Sequence, residues 1–473
     1  MTLPAGFVDM LRGFGPAYSA PLLSALDSAP SVSIRANRLK GICPKDNADS
    51  VPWCGAGIYL PTRPVFAADP AWHQGLYYVQ DASSMVYGTV VETIVRQFFA
   101  DCRQLRYLDA CAAPGGKSIA ALEALPADAL LVSNEYDRHR ANILLENLCK
   151  EGAPNVAVSQ GDASAYARLP ESFDIIAADA PCSGEGMMRK EAEAVAQWSP
   201  SLIEQCAATQ RAIIDSLWTA LRPGGVFIYS TCTFNRTENE LMVAHIADTY
   251  GGESVDLGLD RYEGVFKGMD TAHHCYRFAP GHVRGEGLFV AALRKPGESM
   301  RRDERPAGKA RKLQPEVKAF VERHISAADR YAVAESGAVI RLEPSTHASF
   351  LAELSSKVRV VSSGLTAGVL KGREYAPTHA LALSTALQAG SFATLDLDYH
   401  DAMSYLRGEA LSELPDGLAR GYVLARYANM PLGFIKNIGR RANNLYPDAM
   451  RLRLDARSLP AEAPTPLIST ANL

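Results

Sequence analysis

Two cysteines in this sequence stand where a thiolate could do chemistry. Cys182 lies in the segment Asp179-Ala180-Pro181-Cys182-Ser183-Gly184-Glu185-Gly186, and Cys232 lies in Ser230-Thr231-Cys232-Thr233. Each segment follows a short apolar run that predicts a β-strand. A free cysteine is usually a small buried residue, and that interpretation suits five others: Cys43, Cys102, Cys149, Cys206 and Cys275. It suits two thiols on strand-end loops poorly, so Cys182 and Cys232 are the candidate catalytic residues.

The chemistry that requires such thiols is addition to an unreactive ring. Carbon 5 of cytosine is too weak a nucleophile to attack a methyl sulfonium, but thiolate addition to carbon 6 converts it into an enamine carbon. Asp179 is placed to act near ring nitrogen 3, where charge builds as the thiolate adds. An enzyme that methylates an amino group commonly has a Pro-Pro-aromatic loop here, which this sequence lacks. This chemistry alone leaves the two thiols interchangeable.

A glycine-rich turn, Asp109-Ala110-Cys111-Ala112-Ala113-Pro114-Gly115-Gly116-Lys117, lies between a predicted strand and a predicted helix. Adjacent glycines let the backbone pass close to a ligand, and the helix N-terminus offers N–H groups to a carboxylate. The phosphate-binding pattern G-x-x-x-x-G-K is absent. A tight turn without a ligand is the alternative interpretation.

Acidic residues end the strands that follow this turn. Glu135 ends the second predicted strand and suits ribose hydroxyls. Asp162 follows the third strand, where an adenine amino group could donate to it, and Asp179 ends the fourth. Each could be an ordinary surface acid, but together they point into one crevice.

The elements that must position these residues form an α/β pattern between residues 96 and 297. Short apolar strands are predicted over 105–109, 129–135, 156–159, 173–179, 226–230 and 287–293. Amphipathic helices are predicted over 118–125, 138–150 and 201–221. The alternation predicts a Rossmann-like, mostly parallel sheet with helices on both faces and a ligand site at the carboxyl ends of its strands.

Composition limits the classes of protein. The 473 residues are 47% hydrophobic, which predicts several folded domains. We find no secretory signal, no apolar run of about 18 residues and no C-x-x-C pair, so we expect a cytoplasmic protein without a membrane span, disulfide framework or zinc site. The net charge of −4 means that any nucleic-acid contact must be local.

At these motifs the sequence resembles the Nol/Nop/Sun family of RNA cytosine-5 methyltransferases over about residues 31–293. The resemblance rests on residues 78–85, 109–117, 179–186, 189–190, 222–225 and 230–233. It implies a class I methyltransferase in which Cys232 is the nucleophile and Cys182 assists release of the methylated RNA through proton removal. It also implies an S-adenosylmethionine site lined by Cys111, Ala112, Ala113, Pro114, Gly115, Gly116, Lys117, Glu135, Asp162 and Asp179.

The resemblance extends to RNA binding. The strand with Arg35 and Asn37 looks like part of the family's N-terminal RNA-binding extension, and we expect Arg189 and Lys190 to contact phosphates near a flipped target base. Segments 429–436 and 440–447 are similar to the PUA-like module of bacterial members that modify small-subunit ribosomal RNA. That similarity implies RNA contacts by Lys436, Arg440 and Arg441, with Asn443, Asn444 and Tyr446 beside them. A merely solvated basic loop is the alternative.

The predicted organisation has five parts: an N-terminal RNA-binding extension (1–95), the methyltransferase domain (96–297), a basic linker (298–313), a small mixed domain (314–388) and a PUA-like domain (389–473). The linker could be a solvated hinge or an RNA contact. We expect a monomer that acts on 16S ribosomal RNA or the small subunit, with transfer RNA as the alternative. A methyltransferase of another class and a non-enzymatic RNA-binding assembly factor are the competing hypotheses.

Overall fold

A computed structural model describes residues 2–298, 313–372, 374–411, 414–454, 460 and 462–470. The predicted basic linker lies outside these residues except for its two ends. In the described residues, no helix combines the length and apolar character that crossing a membrane requires.

The N-terminal part is a small sheet with helices. Its elements are α1 (Ala5–Arg12), α2 (Pro16–Leu26), β1 (Val32–Ala36), β2 (Ile42–Pro44), β3 (Ser50–Val51), β4 (Cys54–Leu60), α3 (Pro70–His73) and β5 (Tyr77–Val79). The sheet order is β3-β4-β1-β5, and β1 pairs antiparallel with both β4 and β5. The strand predicted to hold Arg35 and Asn37 ends at Ala36, because Asn37 caps a 3₁₀ turn that begins at Arg38.

The catalytic part is a large mixed sheet. Its elements are α4 (Val86–Phe98), β6 (Arg106–Asp109), α5 (Gly116–Ala124), β7 (Leu130–Glu135), α6 (Arg138–Glu151), β8 (Val156–Gln160), β9 (Phe173–Asp179), α7 (Ala192–Gln197), α8 (Pro200–Ala220), β10 (Leu221–Thr231), α9 (Glu240–Tyr250), β11 (Glu253–Ser254), β12 (Phe266–Lys267), β13 (Cys275–Phe278) and β14 (Leu288–Arg294). Strands β10-β9-β6-β7-β8 are parallel neighbours, and β14 runs antiparallel to β10.

Apolar cores on both faces hold this sheet. One core contains Val90, Ile119 and Leu144, which come from α4, α5 and α6. The other contains Leu217 and Val243, which come from α8 and α9. Because each strand is covered on both faces, the strands are apolar almost throughout. The Rossmann-like prediction is confirmed.

The C-terminal part contains two further sheets. Its elements are α10 (Pro315–His324), β15 (Tyr331–Ser336), β16 (Val339–Pro344), α11 (Ala348–Lys357), β17 (Val360–Ser363), β18 (Leu365–Lys371), β19 (Glu374–Pro377), α12 (His379–Leu383), β20 (Ala393–Leu397), α13 (Tyr399–Leu406), β21 (Gly421–Tyr427), β22 (Met430–Asn437), β23 (Ala442–Asn444) and β24 (Ile468–Thr470). The sheet orders are β15-β16-β18-β19 and β20-β21-β22-β23, while β24 pairs with β2 of the N-terminal part.

One C-terminal strand belongs to the catalytic sheet. Strand β17 pairs antiparallel with β8, so it forms the edge of that sheet. Helix α11 precedes it and buries Phe350, Leu351 and Leu354 in the same core as α8. The segment predicted as a separate small domain therefore contributes part of the catalytic core.

Candidate active site

The two candidate thiols meet at the carboxyl ends of neighbouring strands. Asp179 ends β9, Thr231 ends β10, and Ser230 is paired with Asp179 across these parallel strands. The loops beyond both strands start at the same edge of the sheet, and the backbone N–H of Gly186 donates to the carbonyl of Cys232 at 2.7 Å. The Sγ atoms of Cys182 and Cys232 lie 3.1 Å apart, and both cysteines are free.

The environment of Cys182 changes the acidity of its thiol. The hydrogen bond with Cys232 and burial together raise the pKa of Cys182 well above its usual value. The negative charge of nearby Glu238 acts in the same direction. Cys182 is therefore a weaker acid than a free cysteine.

A chain of polar side chains leads from this pair to the glycine-rich turn. Ser230 Oγ donates to Asp179 Oδ1 at 2.7 Å and lies 2.6 Å from the hydroxyl of Tyr87. Lys117 Nζ lies 2.6 Å from Asp179 Oδ2. Burial lowers the pKa of Lys117, but the charge and hydrogen bond of Asp179, together with Cys232 and Asp109, raise it by more, so the net pKa lies above the usual value.

A cavity of about 660 Å³ opens beside the thiols, within the usual size range of small-molecule sites. Polar groups at the strand ends and apolar side chains of α8 line it, among them Cys111, Ala113, Asn134, Glu135, Asp162, Asp179, Cys182, Ile213 and Cys232. Glu135 accepts from the N–H groups of Ala113 and Asp137. Each of its oxygens retains a lone pair that could accept from a hydroxyl. This combination of acids, apolar wall and volume fits S-adenosylmethionine.

Only part of the glycine-rich turn lines the cavity. Among the predicted cofactor residues, Cys111, Ala113, Glu135, Asp162 and Asp179 line the cavity, whereas Ala112, Pro114, Gly115, Gly116 and Lys117 are not part of its lining. Gly115 has a φ of +116°, and a Cβ on Gly116 would lie 3.1 Å from the ring of Tyr78. Gly115 thus permits the positive φ of the turn, and Gly116 permits the turn to pack closely against Tyr78.

Comparisons with known proteins agree with this geometry. Family profiles described as 16S rRNA methyltransferase RsmB/F, the N-terminal domain of 16S rRNA methyltransferase RsmF and the methyltransferase RsmF PUA domain match residues 100–294, 3–82 and 392–452. The chain is 31% identical to ribosomal RNA small subunit methyltransferase F of Serratia proteamaculans over 476 residues, covering 94% of this chain and 96% of the relative. The chain belongs to this RNA methyltransferase family.

Other family members match similarly. The protein of the same description from Escherichia coli O139:H28 is 32% identical over 417 residues, which cover 84% of this chain and 83% of the relative. Among solved structures, NSun6 from Pyrococcus horikoshii with SFG has a TM-score of 0.50 and 20% identity and covers 62% of this chain and 99% of its own. The crystal structure of PH0851 has a TM-score of 0.54 and 20% identity and covers 62% of this chain and 66% of its own. These neighbours share the fold.

The N-terminal residues predicted to touch RNA face inward. Arg35 is buried, donates to Gln80 Oε1 at 3.0 Å and forms an ion pair with Glu123 of α5. Gln80 in turn donates to the carbonyl of Gly116 at 3.1 Å. Asn37 is also buried, and its amide donates to two backbone carbonyls. Arg35 and Gln80 therefore dock the N-terminal part onto α5 and the glycine-rich turn, and Asn37 joins it to the end of α6. Neither Arg35 nor Asn37 is exposed for contact with RNA in this structure.

The two cations after the Cys182 loop differ in accessibility. The Arg189 side chain is 6% exposed and pairs with Glu286 at 2.7 Å. Lys190 is 34% exposed, and its ammonium lies 3.2 Å from the same carboxylate. Lys190 is exposed enough to turn toward a phosphate. Arg189 could reach a phosphate only by leaving Glu286, which would then lose its closest partner.

The C-terminal cations also differ in their exposure and their ion pairs. Arg440 and Arg441 are exposed on the loop between β22 and β23. Lys436 pairs with Glu374. Tyr446 is buried, with its ring against His379 and Tyr405, so it cannot stack on a base here. Of the residues predicted to contact RNA in this region, Arg440, Arg441 and Asn443 are therefore exposed, and Lys436 is partly exposed.

Sequence reasoning missed several site residues. Asn134 donates to the carbonyls of Ala110 and Gly161 and so fixes two strand-end turns. Arg140 donates to the carbonyl of Ala113. Glu185 and Glu238 are fully buried beside the thiol loops. The signal that could have found Glu238 was its place six residues after Cys232, in the segment Glu238-Asn239-Glu240. In the described residues, no group of three or more His, Cys, Asp or Glu side chains could hold a metal ion.

Proposed function

We propose that this enzyme methylates carbon 5 of cytosine in 16S ribosomal RNA, using S-adenosylmethionine and a covalent bond from Cys232 to carbon 6. The observation that carries the proposal is the pair of thiols 3.1 Å apart in the lining of the cavity. The relatives' description as ribosomal RNA small subunit methyltransferases supports the substrate. Transfer RNA is the second candidate.

Different residues of the site attack the ring, stabilise the charge that forms and bind the cofactor. The Cys232 thiolate adds to carbon 6, and negative charge spreads toward ring nitrogen 3. The Lys117 ammonium beside Asp179 stabilises that charge, and Asp179 passes a proton to ring nitrogen 3. Glu135 and Asp162 hold the cofactor, and S-adenosylmethionine, when bound, supplies the electrophilic methyl group.

Completion of the reaction requires a second thiol. The proton on carbon 5 must leave before the bond to Cys232 can break. Cys182 is placed to take that proton after it has released its own to solvent, and its raised pKa makes the resulting thiolate a stronger base. Cys232 then departs as a thiolate, which restores the aromatic ring.

The outer parts of the chain hold the RNA in this proposal. The exposed Arg440 and Arg441 and the partly exposed Lys190 contact phosphates. The protein acts as a monomer in the cytoplasm. Light scattering should then give a mass near 51.0 kDa.

Two substitutions test the mechanism. Cys232→Ala should abolish methylation while retaining cofactor binding, and Cys182→Ala should accumulate a protein–RNA adduct that survives denaturing electrophoresis. Cys102→Ala, away from the cavity, is the matched control. Adduct formation by Cys232→Ala but not Cys182→Ala would reverse the two roles. Bisulfite sequencing of 16S ribosomal RNA and transfer RNA from cells lacking the protein decides between the two substrates.

A further inference from the structure

Two buried carboxylates join the loops that carry the thiols. Glu185 lies three residues after Cys182, and Glu238 lies six residues after Cys232. Both side chains are completely buried, and neither lines the cavity. A buried charge is costly unless hydrogen-bond donors surround it, so the identity of those donors indicates what the carboxylates do.

Glu238 binds the loop of the other cysteine. Its Oε1 accepts from the backbone N–H of Ser183 at 3.0 Å and from Gln210 Nε2 at 2.8 Å. Its Oε2 accepts from Ser183 Oγ at 2.5 Å and from Asn235 Nδ2 at 2.7 Å. The residue next to Cys182 is therefore held by a carboxylate that belongs to the Cys232 loop.

Glu185 makes the opposite connection. Its Oε2 accepts from the backbone N–H groups of Phe234 and Asn235 at 2.6 and 2.9 Å. Its Oε1 accepts from Trp198 Nε1 at 2.9 Å and from Asn235 Nδ2 at 3.1 Å. The amide of Asn235 thus bridges the two carboxylates, and each loop binds the backbone of the other.

The two thiols do not depend equally on these contacts. Cys232 directly follows Thr231, the last residue of β10, so the sheet itself fixes its backbone. Cys182 lies three residues beyond the end of β9, and its neighbour Ser183 is held through Glu238. Loss of Glu238 should therefore displace Cys182 more than Cys232.

We propose that Glu185 and Glu238 form a reciprocal clamp that sets the separation of the two thiols, with Glu238 as the positioning residue for Cys182. The catalytic consequence rests on the proposed function: without Glu238, Cys232 still attacks the ring, but Cys182 no longer lies where it can complete the reaction. Glu238→Gln tests this because an amide would direct N–H groups at two of the four donors, which leaves them without an acceptor.

The first measurement needs neither RNA nor cofactor. Diamide oxidises neighbouring thiols to a disulfide, taking up the two electrons and two protons that the cysteines lose as the S–S bond forms. Mass spectrometry of the 182–232 cross-linked peptide should show rapid formation in the wild type and in Glu193→Gln, an exposed control. Glu238→Gln should form it about tenfold more slowly. Formation at the wild-type rate in a folded Glu238→Gln protein would overturn the clamp.

The second measurement follows the protein–RNA adduct and the KM for S-adenosylmethionine. Glu238→Gln should accumulate the protein–RNA adduct as Cys182→Ala does, with a KM for S-adenosylmethionine within about twofold of wild type. If Cys182→Ala forms adduct and Glu238→Gln forms none, the assignment to Cys182 is wrong. If Cys182→Ala itself forms none, the proposed function fails, while the diamide result still decides the clamp.

A milder variant covers the case in which Glu238→Gln does not fold. Ser183→Ala removes one of the four donors and leaves the carboxylate in place. It should slow diamide cross-linking in the same direction by a smaller factor. A wild-type cross-linking rate in Ser183→Ala would then count against the clamp.

Discussion

The ammonium of Lys117 lies 2.6 Å from Oδ2 of Asp179. The lysine of the glycine-rich turn therefore reaches from the turn after β6 to the end of β9, the strand that leads to Cys182. In many glycine-rich turns a lysine serves a phosphate, but here it compensates a carboxylate of its own chain. Both residues were predicted to hold the cofactor. Asp179 lines the cavity, and the structure also joins both residues in one polar chain with Ser230.

Lys117→Met should separate charge stabilisation from cofactor binding. The substitution leaves Asp179 without its cation where negative charge builds, so we expect kcat to fall about 100-fold. The affinity for S-adenosylmethionine should change little, because Lys117 is not part of the cavity lining. Single-turnover kinetics and calorimetry measure the two effects. Lys267→Met, which removes an exposed cation, is the control; a large loss of cofactor affinity with kcat intact would contradict the assignment.

Arg35→Ala should act on stability. Its removal leaves Glu123 buried without its cation, which typically costs about 3–5 kcal/mol. Urea unfolding should show this loss, whereas the folded protein should bind RNA with wild-type affinity. Arg12→Ala removes an exposed pair and should change stability little. Reduced RNA affinity at unchanged stability would instead support a direct contact between Arg35 and RNA.

Arg189→Ala and Lys190→Ala should have different effects. Loss of Arg189 leaves Glu286 buried without its main partner, so the free energy of unfolding should decrease. Loss of Lys190 should weaken RNA binding and reduce the slope of log affinity against log salt by about 1. Filter binding across a salt series and thermal unfolding distinguish them. Equal effects of both variants on affinity would refute this division.

Arg440 and Arg441 should contribute to RNA affinity more than Lys436 does. The two arginines are exposed, whereas Lys436 already pairs with Glu374. Alanine substitution of either arginine should reduce the salt slope by about 1, as expected for one lost phosphate contact. Arg407→Ala, at a position paired with Glu409, serves as the control. An unchanged slope in Arg440→Ala and Arg441→Ala would indicate a merely solvated loop.

Acid should destabilise the fold through His73. Burial lowers the pKa of His73 from 6.5 to about 4. Below pH 6.5 the unfolded chain binds a proton that the folded chain excludes. The contribution of His73 to the free energy of unfolding is therefore complete above pH 6.5 and decreases as the pH falls toward 4. Between these two pH values the free energy of unfolding changes by about 1.4 kcal/mol per pH unit. Urea unfolding at pH 7 and pH 5 should show a smaller pH difference for His73→Asn than for the wild type or exposed His139→Asn. An equal difference in all three proteins would exclude His73 as the source.

The sequence predicted best what depends on local periodicity. Strand β9 spans residues 173–179 as expected, and the carboxyl ends of β9 and β10 bring Cys182 and Cys232 together. These results follow because apolar runs define buried strands and parallel neighbours share an edge. The strand pattern alone therefore suffices to place the thiols side by side, whereas their individual catalytic roles remain part of the proposal.

Charged and aromatic side chains were predicted least well. Arg35 was expected to reach RNA, but its acidic partner, Glu123, is 88 residues away in sequence. Tyr446 was expected to act beside a basic loop, but it packs on two rings from other elements. The docking of β17 on β8 was missed for the same reason. A single sequence shows the chemical type of a residue, whereas burial depends on distant partners.

The position of β17 also has a consequence for synthesis of the protein. Strand β8 ends at residue 160, but its outer neighbour is complete only at residue 363. At about 5–20 residues per second, a nascent chain carries an open strand edge for about 10 to 40 seconds. An unpaired edge invites pairing with other chains. The growing polypeptide therefore has a defined interval in which a chaperone covering β8 would prevent aggregation.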